Sequence, residues 1–331
     1  MKIAILHGEV AKDAQPDEKD VLVQMDIVSE GLAALGHRPV AVPVSLNLEE
    51  TARTLIAISP AIVFNLVESI TGKGVFIHVI PTLLEALKIP YTGAGVEALL
   101  LTSNKILAKK WLASAGLPTP PWFTDTDGQR DLPISGPWLI KSAWEHASIG
   151  LDEDSVIPEA DRRRLLAEMD ARRDALGGAC LAEAFIDGRE FNLSLLADLR
   201  LTDPEVLPPA EIRFDAYPPG KVRVVGYRSK WEEGSFEFNH TPQSFTFPET
   251  DVPLLSHLKE LALGCWRLFD LRGYARVDFR IDSAGRPWIL EVNANPCLSP
   301  DAGFLAATRQ ADVAFAEVLE RIIGDTIHRK K

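Results

Sequence analysis

Cysteine is scarce in this chain. Cys180, Cys265 and Cys297 are the only three in 331 residues, and no CxxC pair or His at ligand spacing accompanies them. That pattern argues against a disulfide framework and a zinc site, and it fits a reducing cytoplasm. Positive charge is also short: 35 Lys and Arg face 47 Asp and Glu, for a formal net charge of −12. General nucleic-acid binding needs clustered cations to neutralise phosphates, so no nucleic-acid partner is expected. Long apolar runs are missing. No segment reaches about 18 uninterrupted apolar residues, and the opening Met1-Lys-Ile-Ala-Ile-Leu-His-Gly8 is too short for a signal peptide. The expectation is an unexported, cytoplasmic protein with no membrane partner. No dinucleotide-binding glycine fingerprint follows a strand and no P-loop occurs, which argues against a dehydrogenase. Internal repeats and low-complexity stretches are absent as well.

What is present starts with length: 331 residues exceed one usual core and predict two or three subdomains. Residues 2 to 100 alternate short apolar runs (Ile3–Leu6, Val40–Val44, Ala61–Leu66) with helical patterns (about Glu18–Leu35, Leu48–Ser59 and Val75–Leu87). Such alternation predicts βαβ units on a mostly parallel sheet. Gly36 stands where a helix C-cap belongs. The loops His7-Gly8-Glu9 and Glu68 to Gly74 follow strands, where open α/β sheets place ligands. Ser103 is the expected N-cap of a helix running to about Ala115. Trp138–Ser142, Leu181–Ile186 and Glu190–Ala197 read as strands, and Asp152 to Arg173 as a solvated helical region. Pro208 to Phe247 reads as long loops between short strands. Helices are expected over Pro253–Phe269 and Asp312–Ile323.

The most informative stretch runs from Tyr274 to Asn295 and reads as a hairpin. Strand alternation puts Arg276, Asp278 and Arg280 on one side and Ala275, Val277, Phe279 and Ile281 on the other. On the returning strand, Glu291 and Asn293 oppose Leu290 and Val292. Asp, Glu and Asn offer hard oxygen donors, which suit Mg²⁺, and Mg²⁺ commonly arrives with a nucleotide phosphate. An adjacent Arg suits a phosphate or a carboxylate. The plainer reading of the same pattern is an amphipathic hairpin with one wet face.

Several phrases, in order, resemble the ATP-grasp superfamily, and within it the D-alanine–D-alanine ligase branch. They are Pro90-Tyr-Thr-Gly-Ala-Gly95, Ser103-Asn-Lys105, Ala115-Gly-Leu-Pro-Thr-Pro-Pro121, Leu139-Ile-Lys141 with Gly150, Ala182-Glu-Ala-Phe-Ile-Asp-Gly-Arg-Glu-Phe191, Arg276-Val-Asp-Phe279 and Leu290-Glu-Val-Asn-Ala-Asn-Pro296. Together they span roughly residues 64 to 300. The resemblance implies an α/β fold of the ATP-grasp type: an N-terminal α/β domain (1–100) that contacts substrate, a central subdomain (101–182) with the phosphate loop, and a C-terminal subdomain (183–331) with the metal site. ATP would lie between the last two. Lys105, Lys141 and the loop containing Ser148 would contact its phosphates. Glu183 and backbone groups near Phe185 and Ile186 would read adenine, and Glu190 the ribose. Asp278, Glu291 and Asn293 would hold two Mg²⁺ ions, with Mn²⁺ as an alternative metal. Arg276 would stabilise the transferred phosphoryl group, and Lys230 belongs to the mobile-loop pair near the reacting groups. The implied reaction joins a carboxylate to an amine through an acyl-phosphate, releasing ADP and phosphate. A homodimer is the family-level expectation for assembly.

Substrate-selecting positions depart from that branch. The loop that commonly reads Glu-Gly-Ser-Ser-x-Gly is Glu145-His-Ala-Ser-Ile-Gly150, and the mobile-loop Lys-Tyr pair is Lys230-Trp231. The stretch after the metal Asn is Cys297-Leu-Ser-Pro-Asp-Ala302, which removes the expected substrate-binding Ser and leaves Ser299 as the nearby hydroxyl. The early loop reads Phe64-Asn-Leu-Val-Glu68. Sites built on hydrogen bonds reject mismatched ligands strongly, so these changes predict altered specificity. The expected substrates are a small carboxylate and an amine, such as amino acids or small peptides, with Glu68 or Glu9 holding an ammonium group and Trp231 and Ser299 contacting substrate. The 146–150 loop and part of 210–247 would form lids. A true D-alanine–D-alanine ligase and a non-catalytic nucleotide-binding relative are the alternatives. Lys88, Lys109, Lys110, Lys330 and Lys331 read as solvated surface, and Cys297 as a small buried residue.

Overall fold

The computed structural model describes residues 1–127 and 131–329; Lys330 and Lys331 lie outside the described residues. The chain begins as β1 (Lys2–Gly8), α1 (Pro16–Ala34), β2 (Arg38–Val44), α2 (Leu48–Ile58) and β3 (Ile62–Asn65). These strands form a parallel sheet in the order β2-β1-β3, as the βαβ alternation predicts. Gly36 follows α1 with φ +76°, the left-handed conformation that a residue without Cβ adopts at no steric cost. Three helices come next: α3 (Val79–Ala86), α4 (Val96–Ser103) and α5 (Lys105–Ser114). Here the expected cap shifts by one residue. Ser103 ends α4, and Asn104 caps α5 by accepting a 2.9 Å bond from the Leu107 N–H. Asn is as good an N-cap as Ser, and its extended backbone turns the chain between the two helices.

A second sheet comprises β4 (Trp122–Phe123), β5 (Trp138–Ser142), β6 (Val156–Ile157) and β7 (Cys180–Ala184) in the order β4-β7-β5-β6, with α6 (Arg162–Arg172) packed on it. Leu165 and Met169 on α6 are buried, so one side of this charged helix is core and not solvated throughout.

The third sheet is built from β8 (Arg189–Leu196), β9 (Glu205–Val206), β10 (Ala210–Ile212), β11 (Gln243–Ser244), β12 (Tyr274–Ile281) and β13 (Pro287–Asn293). Between β10 and β11 lie the short helices α7 (Tyr227–Trp231) and α8 (Phe236–Asn239); α9 (Val252–Leu268) precedes β12. Phe191, Leu193 and Leu195 of β8 share a core with Ala275, Val277, Phe279 and Ile281 of β12 and with α4, α5 and α9. The apolar face assigned to β12 by alternation is therefore the buried one. The chain closes with α10 (Gly303–Gln310) and α11 (Phe315–His328). Val318, Leu319 and Ile322 of α11 pack with Val28 and Leu32 of α1 and with Tyr274, so a single core ties the N-terminal sheet to the third sheet. Among the described residues no helix is long and apolar enough to cross a membrane.

Candidate active site

The hydrogen-bond register of the third sheet assembles the hairpin cluster. Asp278 pairs with Glu291 on β13 and with Asn192 on β8, while Arg276 pairs with Asn293. Directly opposed side chains sit about 5 Å apart at Cβ, so two facing carboxylates would repel unless cations join them. Arg276 supplies one, forking onto Asp278 through Nε to Oδ1 at 2.8 Å and Nη2 to Oδ2 at 2.9 Å. Asn192 and Asn293 donate to the same carboxylate at 2.8 and 3.1 Å. Glu291 Oε1 lies 3.7 Å from Lys105 Nζ and 3.1 Å from His146 Nδ1. Burial opposes ionisation of Glu291, but Lys105 and His146 outweigh it and hold its pKa well below the usual carboxylate range.

The ladder slips after Asp278: Phe279 pairs with Ile289, leaving Leu290 as an extra residue. A bulge of this kind re-aims side chains next to a site. Leu290 accordingly lines the cavity beside Glu291, and Ile289 and Val292 fill the core. Strict alternation placed Leu290 on the core face with Val292, and the bulge overturns that.

A second charge cluster sits at the mouth of β5 and β7. Glu183 is buried, and its two oxygens each hold a lysine: Lys141 at 2.7 Å and, in closer contact, Lys109. Lys109 is 1% exposed and also donates to Thr119 Oγ1 at 2.9 Å and the Pro120 carbonyl at 3.1 Å. Its reading as solvated surface is wrong. Lys105, Lys109 and Leu112 share the buried face of α5, one turn apart, which is the signal that marked it. Burial pushes the Lys109 pKa down to about 8 and lowers that of Lys105, whereas Lys109 and Lys141 outweigh burial and keep Glu183 ionised.

Nearby, Glu190 accepts from Arg280 Nε at 2.8 Å. The N–H groups of Ala184 and Phe185 donate to the Pro121 and Pro137 carbonyls at 2.8 and 2.9 Å, so neither is free for a base. Phe185, Ile186 and Glu190 all line a cavity of about 620 Å³, together with Lys105, Lys141, Ser148, Glu183, Lys230, Trp231, Arg276, Asp278, Glu291, Asn293 and Glu68.

Two segments meet over this cavity. Ser148 Oγ donates to the Val225 carbonyl at 2.8 Å, Tyr227 N to the Leu151 carbonyl at 2.9 Å, and Trp231 Nε1 to the Ala147 carbonyl at 3.1 Å. Ala147 and Ser148 have φ of 56° and 60°. Left-handed backbone at residues bearing a Cβ costs about 1 kcal/mol or more each, so these cross-contacts hold a loop that is strained alone. Lys230, on α7, reaches into the cavity, where crowding by protein and the Arg276 charge lower its pKa.

At the far end the cavity meets the N-terminal sheet. Glu68, in the loop after β3, accepts from Gln24 Nε2 at 2.9 Å, and the same nitrogen donates to Asp20 Oδ2 at 3.1 Å. Asp20 also accepts from Ser299 Oγ at 2.6 Å and from the Cys297 thiol at 3.0 Å. Asp17 accepts from Tyr227 OH at 2.8 Å. Burial and the neighbouring Asp20 push the Glu68 pKa up to about 7 against the Gln24 bond.

Three expectations change at this end. Glu9 is exposed, with its N–H bonded to the Val44 carbonyl, and it does not line the cavity. Ser299 is buried behind Asp20, which it positions from outside the cavity. Cys297 is half-buried and lines the cavity. Asp17, Asp20 and Gln24 were not anticipated. They lead into Val28 and Leu32 on the inward side of α1, and a Gln at the head of an apolar helical stripe is the trace they leave in the sequence.

The pattern described as "D-ala D-ala ligase C-terminus" matches residues 112–324. A D-alanine–D-alanine ligase of Gluconobacter oxydans is 27% identical over 335 residues, covering 99% of this chain and 100% of its own. That of Alkalilimnicola ehrlichii is 32% identical over 263 residues, covering 78% and 77%. The solved D-alanine–D-alanine ligase of Bacillus anthracis, described as complexed with ATP, superposes with a TM-score of 0.72 at 18% identity over 100% of this chain and 98% of that one. The fold is thus the ATP-grasp one expected from the sequence, and the chain belongs to the D-alanine–D-alanine ligase family of ATP-grasp ligases.

Proposed function

We propose that the protein is an ATP-dependent ligase that joins a small carboxylate to an amine through an acyl-phosphate, with a substrate pocket selective for an ammonium group held by Glu68. The observation that carries this reading is one cavity with a cation-rich end and an acidic end. In this reading ATP lies between the second and third sheets, within the division 1–100, 101–182 and 183–331. Lys105, Lys141 and the loop containing Ser148 hold its phosphates, Glu183 and the Phe185–Ile186 segment face adenine, and Glu190 faces the ribose.

Asp278, Glu291 and Asn293 fit a hard divalent cation by their all-oxygen donor set. Among the described residues no group of three or more Asp, Glu, His or Cys is poised to cage a metal. That suits Mg²⁺, which keeps water and phosphate oxygens in its shell and takes only one or two protein carboxylates. When bound, the metal neutralises charge on the transferring phosphoryl group.

The chain's own residues do the remainder. A carboxylate resists attack because oxide is a poor leaving group. Its oxygen attacks the γ-phosphorus, the bond to the β-phosphate oxygen breaks, and ADP departs. Arg276 and Lys230 both line the cavity, and in this reading they stabilise the charge in transfer. The amine, bound as ammonium against Glu68, gives one proton to that carboxylate, attacks the acyl carbon and expels phosphate, which takes up the second proton released by the new amide nitrogen. The Ala147–Trp231 and Ser148–Val225 contacts exclude water that would hydrolyse the acyl-phosphate.

The deciding experiment is ADP release with Mg-ATP and an array of amino acids and small acids, singly and in pairs, with Asp278→Ala as control. Release that requires an acid and an amine supports the reading. The names of the relatives favour a second one, D-alanine–D-alanine ligation itself, and dipeptide formed from D-Ala alone would establish it. Silence throughout would point to a non-catalytic nucleotide-binding relative.

A further inference from the structure

Lys109 lies one layer behind the cavity. It does not line the cavity, yet its ammonium contacts Glu183, Thr119 Oγ1 and the Pro120 carbonyl, leaving it no route to a ligand except through those groups. Thr119 in turn donates to the Ile289 carbonyl at 3.1 Å, anchoring the ammonium to the third sheet. On the other side of Glu183, Lys141 does line the cavity and holds the second carboxylate oxygen at 2.7 Å. Two ammonium groups thus share one carboxylate, and the trio carries one net positive charge. With a single lysine the count would be zero.

We infer that Lys109 is a positioning residue for phosphate binding: by occupying one oxygen of Glu183 it prevents one-to-one neutralisation of Lys141, which keeps charge for the nucleotide's phosphates. This rests on the proposed contact between Lys141 and phosphate. Without Lys109, both oxygens of Glu183 turn to Lys141, and a carboxylate in a buried setting holds its ammonium tightly. The phosphates then compete against that pair. Adenosine, which has no phosphate, senses only the change at the adenine that Glu183 faces; the ratio of the two affinities cancels that shared part, and this separates the role from a merely structural one.

The test is the preference of the full-length protein for ATP over adenosine, as the ratio of the two dissociation constants measured by calorimetry. Lys109→Met should lower this preference about tenfold, the factor given by ~1.4 kcal/mol of lost attraction, through weaker ATP binding. Lys109→Met combined with Glu183→Gln should restore it, because the competing carboxylate is gone. Glu183→Gln alone should raise the preference above wild type, an arm that stands even if Lys109→Met does not fold. Parallel weakening of ATP and adenosine in Lys109→Met, no change in either, or a lowered preference in Glu183→Gln would each overturn the proposal. Lys141→Met is the control for the underlying assignment. If it leaves the preference unchanged, the phosphate contact is wrong and the proposal falls with it. If it lowers the preference and Lys109→Met does not, the proposal alone falls.

Discussion

The two ends of the cavity handle negative charge in opposite ways. At the hairpin end, Asp278 faces Arg276, Glu291 faces Lys105, Glu190 faces Arg280, and Glu183 faces two lysines. At the α1 end, the hydrogen-bond donors to Asp17, Asp20 and Glu68 are a phenol, a hydroxyl, a thiol and an amide, all neutral, and the Arg276 charge that also acts on Glu68 is already held by Asp278. Buried carboxylates cost little when paired and much when not. The first end therefore balances its acids with the protein's own cations, whose place a metal and a polyanion would take in the proposed function. The second gives Glu68 no ion-pair partner of its own, so burial and the neighbouring Asp20 raise its pKa, and a cationic ligand would favour its ionised form. The contrast predicts which step each end governs.

Breaking the hairpin end should have the largest effect. Asp278→Ala removes a carboxylate that faces Glu291 and frees Arg276 from its fork. Loss of positioned charge at a phosphoryl-transfer site costs about a thousandfold in turnover, so ADP release should fall by that order at temperatures where the variant is folded; its thermal midpoint should drop as well, because Arg276 is left unpaired. Breaking the α1 end should act on binding instead. Glu68→Gln removes a charged partner worth about 1.5–3 kcal/mol, and should raise the KM for the amine roughly 10- to 100-fold while leaving that for ATP unchanged. Equal effects of the two variants on both substrates would erase the distinction.

A pH series sharpens it. The folded pKa of Glu68, about 7, lies above the ordinary 4.5. The folded chain therefore holds a proton that the unfolded chain releases, and this contribution to stability is full below about 4.5 and lost as pH rises through 7. Glu68→Gln, which stays neutral, should be more stable than wild type at pH 8 by about 3 kcal/mol and equal to it near pH 4, as read by denaturant unfolding. A saturating cationic amine should reverse the sign at pH 8, because it stabilises only the ionised form.

Which features could be read from the sequence follows the same physical divide. The β12 core face and the parallel N-terminal sheet are periodic, and periodicity is local. Lys109 and Gln24 also carried a helical signal, since both lie on the inward faces of their helices, but a polar residue on such a face is easily taken for surface. Leu290 broke a period because a bulge depends on the partner strand. The choice between Glu9 and Glu68 was beyond any local pattern. Both follow strands of one sheet, and only the packing of the loop after β3 against α1 brings Glu68 to Gln24.

The smallest expected effect concerns the cover shared by both ends. Trp231 donates its indole N–H to the Ala147 carbonyl, in a loop whose Ala147 and Ser148 hold left-handed backbone. Trp231→Phe keeps an aromatic ring and removes only this bond, worth about 1 kcal/mol. Closure then weakens about fivefold, since 1.4 kcal/mol is a factor of ten. Neither the paired acids of the hairpin nor Glu68 is touched, so amine binding should stay near wild type and ATP binding, which shares the Ser148 loop, should weaken by no more than about fivefold. Water entry should rise instead, and the acyl-phosphate should partition toward hydrolysis. The measurement is the ratio of ADP released to amide formed, which should climb severalfold at low amine concentration and return toward one at saturation. A ratio that stays at one would mean that the Ser148–Val225 and Tyr227–Leu151 bonds suffice to seal the cavity, and the strain at Ala147 would then be carried by those two contacts alone.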